Sequence, residues 1–136
     1  MNNDYQAFEK LVKEVIEDYR SGKVKPGWDK EVEQCDYFIN KNKMCAVGCA
    51  VEKIEPGSAI KLKDSQLGCI TEFINFKKEL GEAFHVLEEL PGRLDWWEMI
   101  QEAHDRFVNP ITSSYADSLV ESLEKSLEDI KKSINE

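Results

Sequence analysis

The stretch Cys35-Asp36-Tyr37-Phe38-Ile39-Asn40-Lys41-Asn42-Lys43-Met44-Cys45-Ala46-Val47 decides how the chain is read. Two short apolar runs flank an Asn/Lys tract, and that order reads as a β-hairpin. Gly48 follows as a bend, where the second strand stops or where the backbone passes close to something else. Further on, 51–54 and 59–62 flank Pro56-Gly57-Ser58 and read as another pair of short strands around a turn. The expected fold class is α+β: a small antiparallel sheet, from a hairpin at about 35–47 plus short strands, packed against several helices.

Outward from that stretch the helices are easier to see. Tyr5, Phe8, Leu11, Val12, Val15, Ile16 and Tyr19 recur at spacings of three and four, which predicts an amphipathic helix over 4–21. Asn3 or Asp4 caps it and Gly22 ends it. Residues 23–34 form a loop holding Pro26-Gly27, tacked to the core by Trp28. Residues 70–77 read as helix or strand, and 83–90 as a short helix stopped by Pro91-Gly92. Asp95-Trp96-Trp97-Glu98 has a capping-box arrangement, and Trp96, Met99, Ile100, Ala103 and Phe107 form one apolar stripe ending before Asn109-Pro110. Ser113 or Ser114 starts a long C-terminal amphipathic helix in which Ala116, Val120, Leu123, Leu127, Ile130 and Ile134 step as a heptad seam, supplemented by Leu119. The chain thus divides into one α+β domain over 1–110 and a heptad-patterned helix over 111–136. That helix is packed on the domain or pairs with a second copy through Val120, Leu123, Leu127, Ile130 and Ile134. The narrowness of the seam favours a homodimer.

Composition bounds the function. Twenty-seven acidic residues against 18 basic ones in 136 leave a net charge of −9. Direct nucleic-acid binding is not expected of such a chain, because phosphate neutralisation requires clustered cations. No apolar run reaches the roughly 18 residues of a membrane span. The polar N-terminus has no signal-peptide h-region, and four cysteines without a secretory signal read as reduced thiols, so a cytoplasmic location is expected.

The candidates for chemistry are few. Cys35, Cys45, Cys49 and Cys69 are separated by nine, three and nineteen residues, which matches no tight zinc-binding pair. Across a hairpin, Cys35, Cys45 and one histidine could still share a zinc ion. An odd-numbered turn such as 40–42 puts both thiols on one sheet face, and an even-numbered turn puts them on opposite faces. The competing reading is buried small hydrophobes. Cys45 or Cys49 with His104 is formally a thiol–imidazole pair, though no nucleophile signature accompanies it. Asp105 is adjacent to His104 in sequence, and neighbours on a helix point apart, so it is not expected to orient that ring. Of Trp96 and Trp97, one is expected to be partly exposed, as a partner hot spot or packed beneath the flanking loop. No P-loop, dinucleotide fingerprint, H-E-x-x-H or EF-hand loop is present.

At Cys35-Asp36-Tyr37, at Cys45-Ala46-Val47-Gly48 and at Ile100-Gln101-Glu102-Ala103-His104-Asp105 the chain resembles a loose group of small proteins. They are common in bacteriophage and bacterial genomes and have no assigned activity. They carry a C-x-Y segment, a polar turn, C-A-V-G with aliphatics, and later an L-Q-x-x-H-D helix. The likeness runs from Cys35 to Asp105. It departs at Cys49-Ala50-Val51-Glu52, where the group usually continues with aliphatics and a proline-acid pair, and the C-terminal helix looks like an addition. The resemblance implies a small phage-type accessory protein and implies that Cys35, Cys45, His104 and Asp105 lie together, as a structural cluster or as a metal or small-ligand site. It transfers no catalytic residue.

The expectation is a non-enzymatic acidic binding protein, a phage-encoded accessory protein that binds and modulates a host protein such as a defence or nucleic-acid-binding component. One alternative is a metal- or thiol-dependent enzyme using Cys45 and His104. The other is a protein that sequesters a small ligand. No cofactor is expected, zinc being the one candidate.

Overall fold

The computed structural model describes residues 3–29, 31, 34–64, 81–108 and 118–135. In chain order these form α1 (Asn3–Ser21), β1 (Lys25–Pro26), β2 (Trp28–Asp29), β3 (Gln34–Cys35), β4 (Lys43–Met44), α2 (Ala46–Ile54), α3 (Ser58–Asp64), α4 (Glu82–Glu88), α5 (Leu94–Val108) and α6 (Leu119–Ile134). The described chain is mostly helical, and its strands are two residues long.

The apolar stripe of α1 does what its period predicts: Tyr5, Phe8, Leu11, Val12, Val15 and Ile16 are all buried. The helix ends before Gly22, whose φ is +80°. α1 lies against α2 and α6, and α6 in turn lies along α5. The Phe8 ring sits 5.2 Å from Trp96 and 5.0 Å from Trp97, and Tyr5 meets Trp96 edge-on at 5.8 Å. Both tryptophans are therefore buried, Trp97 completely, and Trp97 Nε1 donates to the Pro91 carbonyl at 2.8 Å. The expected exposed ring is corrected here: α1 covers both. Neither tryptophan is available as a surface hot spot.

The hairpin is also corrected. β1 pairs with β4 in parallel, Lys25 opposite Lys43 and Pro26 opposite Met44. β2 pairs with β3 in antiparallel fashion, Trp28 opposite Cys35 and Asp29 opposite Gln34. The two halves of the expected hairpin thus each find a partner in the loop that precedes them. Between the two halves there is no strand ladder among the described residues, only an isolated bridge, Asn40 with Lys43, and single backbone bonds from Ile39 to Lys43 at 3.0 Å and from Cys45 to Asp36 at 3.2 Å. Ala46 and Val47 are not strand at all; they open α2. All six residues from Ala46 to Val51 are buried. A short helix covered on every side carries no polar alternation, and such a run cannot be told from a strand by periodicity. Gly48 marks a close approach, as one of the two readings held: a Cβ there would collide with the Tyr37 carbonyl.

The second pair of expected strands is likewise helical, forming the end of α2 and α3. The turn between them exists, and Glu52 closes it by accepting from the amides of Gly57 at 3.0 Å and Ala59 at 3.1 Å. The capping box at Asp95 is shifted: α5 starts at Leu94, and the Asp95 carboxylate is held by Arg93 through two contacts of 2.9 and 2.8 Å. The expectations for 65–80, Cys69 included, and for Ser113, Ser114 and Ala116 lie outside the described residues. α6 is capped by Ser118, whose hydroxyl accepts from the Glu121 amide at 3.0 Å. Its seam is turned inward. Leu119, Leu123, Leu127 and Ile130 are buried within the chain, and Val120 and Ile134 are half-buried against the same core. The side chains read as a dimer seam thus close the chain's own core, because α1 and α5 together offer them a broad apolar wall. Of the described residues, no helix is long and apolar enough to cross a membrane.

Candidate functional site

α5 turns three polar side chains toward the strand-bearing segment: Gln101, His104 and Asp105, at the i, i+3, i+4 spacing that brings helical neighbours together. Gln101 and His104 are buried, while the Asp105 side chain is 40% exposed and forms the lip of the group. Gln101 Oε1 accepts from the Val47 amide at 2.9 Å, which satisfies one of the open donors in the first turn of α2. Its Nε2 donates to Asp105 Oδ1 at 2.7 Å. His104 Nδ1 lies 2.8 Å from the same oxygen. The amide of Gly27 donates to His104 Nε2 at 3.1 Å.

These partners assign the imidazole. Nε2 accepts from a backbone N–H, so in the neutral ring the proton sits on Nδ1 and is donated to Asp105. The expectation that Asp105 could not orient His104 is overturned. The bonding atoms of both side chains lie only two bonds from Cβ, and Gln101 draws the carboxylate back along the helix into reach of the ring. The Tyr19 ring of α1 packs 5.9 Å from the imidazole, and its hydroxyl donates to the Met44 carbonyl at 2.7 Å. Burial raises that phenol well above its ordinary range.

The sulfurs complete the group. Cys35 brings its Sγ from β3, and one ligand atom each from Cys35, His104 and Asp105 lies within 4.8 Å of the others. Burial first, then the Asp105 carboxylate with which it hydrogen-bonds, push the Cys35 thiol up. Cys45 is the N-cap of α2, its Sγ accepting from the Gly48 amide at 3.5 Å. Burial and Asp105 drive that thiol well above the usual value, and the opposing pulls of Gly48 and Gln101 are weaker. Cys49, one turn along α2, faces α1. Its thiol donates to Asp18 Oδ2 at 3.7 Å, where Lys53 Nζ also binds at 2.8 Å. Burial and Asp18 push Cys49 up to about 12. A thiol acts as nucleophile or metal ligand as the thiolate. At neutral pH all three of these are held as S–H.

Of the expected cluster, Cys35, His104 and Asp105 lie within reach of one another, with Cys45 at the start of α2 near Asp105 and Cys35, and the geometry bears on zinc. Cys35, His104 and Asp105 could hold a metal ion through Nδ1 or Nε2 of the ring, and as arranged Nδ1 carries the proton. Moving that proton to Nε2 would set it against the Gly27 N–H, donor facing donor. A metal bound here would displace the Nδ1 proton and the Cys35 thiol proton, at the expense of the contacts described above. His85, the other histidine, is exposed and lies 3.3 Å from Glu89, away from this group. Sequence reasoning missed the roles of Gln101, Gly27 and Tyr19. The i, i+3, i+4 spacing of Gln101, His104 and Asp105 was the available signal for the first.

Gly27 is fixed by contact. A Cβ there would collide with the Cys45 amide and the Asp36 carbonyl, and its own carbonyl accepts from the Asp36 amide at 2.8 Å. Comparison of the chain with models of protein families, with curated proteins and with solved structures finds no match. The reading of the site therefore rests on its own geometry.

Proposed function

We propose that the chain is a non-enzymatic acidic binding protein, an accessory protein of phage type that modulates a host protein through a basic surface of that partner. The observation that supports this reading is the closed state of the polar cluster. Both His104 nitrogens are engaged, and the Cys35 and Cys45 thiols are held neutral, so the group ties the strand-bearing segment and α2 to α5 and offers no nucleophile. What faces outward carries the acidity. On α5, Asp95, Glu98 and Glu102 follow one another at spacings of three and four, on the side away from buried Trp97 and Ile100. A surface of one sign steers encounter with the opposite sign and is weakened by salt.

The test is capture of partners on the tagged chain from its host at low salt and at about 0.3 M salt, followed by reconstitution from purified components. The reading expects a partner that is lost at high salt, and also lost to a Glu98→Lys/Glu102→Lys variant whose circular dichroism and melting temperature are unchanged. A partner held equally by the charge-reversed variant, or no partner at either salt, overturns it.

A further inference from the structure

We propose that the groove between α1 and α6 is the face through which two copies of the chain pair, about a two-fold axis that lays α1 against its own copy in reverse. The inference does not depend on what the protein binds, because it uses none of the α5 side chains. The groove holds about 450 Å³. Ile16 and Leu127, both buried, form its floor. The α1 wall carries Glu9, Lys13, Glu17 and Arg20, and the α6 wall Glu124, Glu128 and Lys131.

Charge selects the occupant. The chain carries −9, so two copies repel wherever acids face acids. The groove sets three cations against four carboxylates and is close to balance. A basic partner meets the cations there and an acidic one the carboxylates, so a surface of either single sign fits poorly. A copy fits. Along α1 the order is acid, base, acid, base, at spacings of four, four and three. Reversed, the same stripe reads base, acid, base, acid. An antiparallel copy therefore sets Glu9 opposite Arg20 and Lys13 opposite Glu17, and the two-fold makes each pair twice. One pair centres on Val15 and the other just before it, so one axis serves both.

The pairs already made within the chain do not stand in the way. Lys13 lies 3.6 Å from Glu9, and Arg20 lies 2.7 Å from Glu17 and 3.5 Å from Glu124 across the groove. Both cations are more than half exposed, and surface pairs contribute little in water, so a copy adds a second partner to each at small cost. Among the described residues Glu128 and Lys131 have no ion pair, which leaves an acid and a base on the α6 wall for the copy. The stripe from Glu9 to Arg20 is about 17 Å long, short for a standard interface. Pairing is therefore weak and salt-sensitive, with a Kd on the order of 100 µM.

Sedimentation of the full chain between about 10 and about 500 µM tests this, at low salt and at about 0.5 M salt. The mass is expected to rise from 15.7 kDa toward twice that value at low salt and to stay monomeric at high salt. Lys13→Glu and Glu17→Lys each set like charges opposite one another, and each should weaken pairing roughly tenfold with the melting temperature nearly unchanged. Mixed in equal amounts, the two variants restore opposite charges across the axis and should pair as tightly as the natural chain. A natural chain that stays monomeric throughout, dimers that survive both single variants, or a mixture that does not pair overturns the proposal. If either variant does not fold, carbodiimide coupling of isotope-labelled with unlabelled natural chain decides. A link from Lys13 to Glu17 between copies supports the pairing, and links confined within one copy overturn it.

Discussion

Replacing Gln101 by leucine removes both ends of a bridge and keeps the volume. The Val47 amide at the start of α2 loses its 2.9 Å acceptor in a place water does not reach, and an unpaired buried donor costs about 1–3 kcal/mol. The Asp105 carboxylate loses its 2.7 Å donor, but it is 40% exposed, so water restores most of that bond and the loss is roughly 0.5 kcal/mol. Leucine returns about 1 kcal/mol through buried apolar surface. The net loss is then about 1.5 kcal/mol, or about 5 °C in melting temperature for a chain of this length. Urea unfolding followed by circular dichroism measures it directly. A surface substitution stays within about 0.5 kcal/mol. A Gln101→Leu loss inside that band would mean that the cluster does not tie α2 to α5, and the argument for an architectural role would fall.

Other consequences can be checked in the same preparations. Gly48→Ala sets a methyl group against the Tyr37 carbonyl and should destabilise by about 3 kcal/mol or abolish soluble expression, and an unaltered melting temperature would contradict the close approach. The Cys49 thiol is raised from 9.0 to about 12, so the folded state keeps a proton that the unfolded state loses. Stability from this group is complete below pH 9 and declines as pH rises toward 12, by about 1.4 kcal/mol per unit, and a Cys49→Ala variant should show a shallower alkaline decline in its urea midpoint. At about pH 7.5, iodoacetamide should label Cys35, Cys45 and Cys49 slowly in the native chain and rapidly in urea, as read by peptide mass spectrometry, and metal analysis should find less than one zinc per chain; fast native labelling or stoichiometric zinc would restore the enzyme reading.

What could be read from the residues follows a physical divide. α1 and α5 each bury one face and wet the other, so their period is printed in the sequence. α4 was legible because Pro91-Gly92 stops it. α2 hid itself: buried from Ala46 to Val51, it offers the same unbroken apolar run as a central strand. The strands were misassigned because pairs of two residues carry no alternation, and their partners lie in the loop before them. That Cys35, Cys45, His104 and Asp105 lie together was an implication of the resemblance alone, not of spacing or periodicity. Their bonding was not legible, because the decisive donor is the Gly27 backbone amide, which no side-chain pattern announces. Asp105 and His104 meet although their Cβ atoms point apart, because the bonding atoms of both lie close enough to Cβ to reach each other.

The position of α1 has a consequence for synthesis. Its apolar face is covered by the tryptophans of α5 and by α6, elements that leave the ribosome more than 70 residues later. At about 5–20 residues per second, Phe8 and its neighbours stay bare for roughly 4 to 15 seconds on every nascent chain. Through that interval the first helix is an amphipathic ribbon that only α2 can begin to cover.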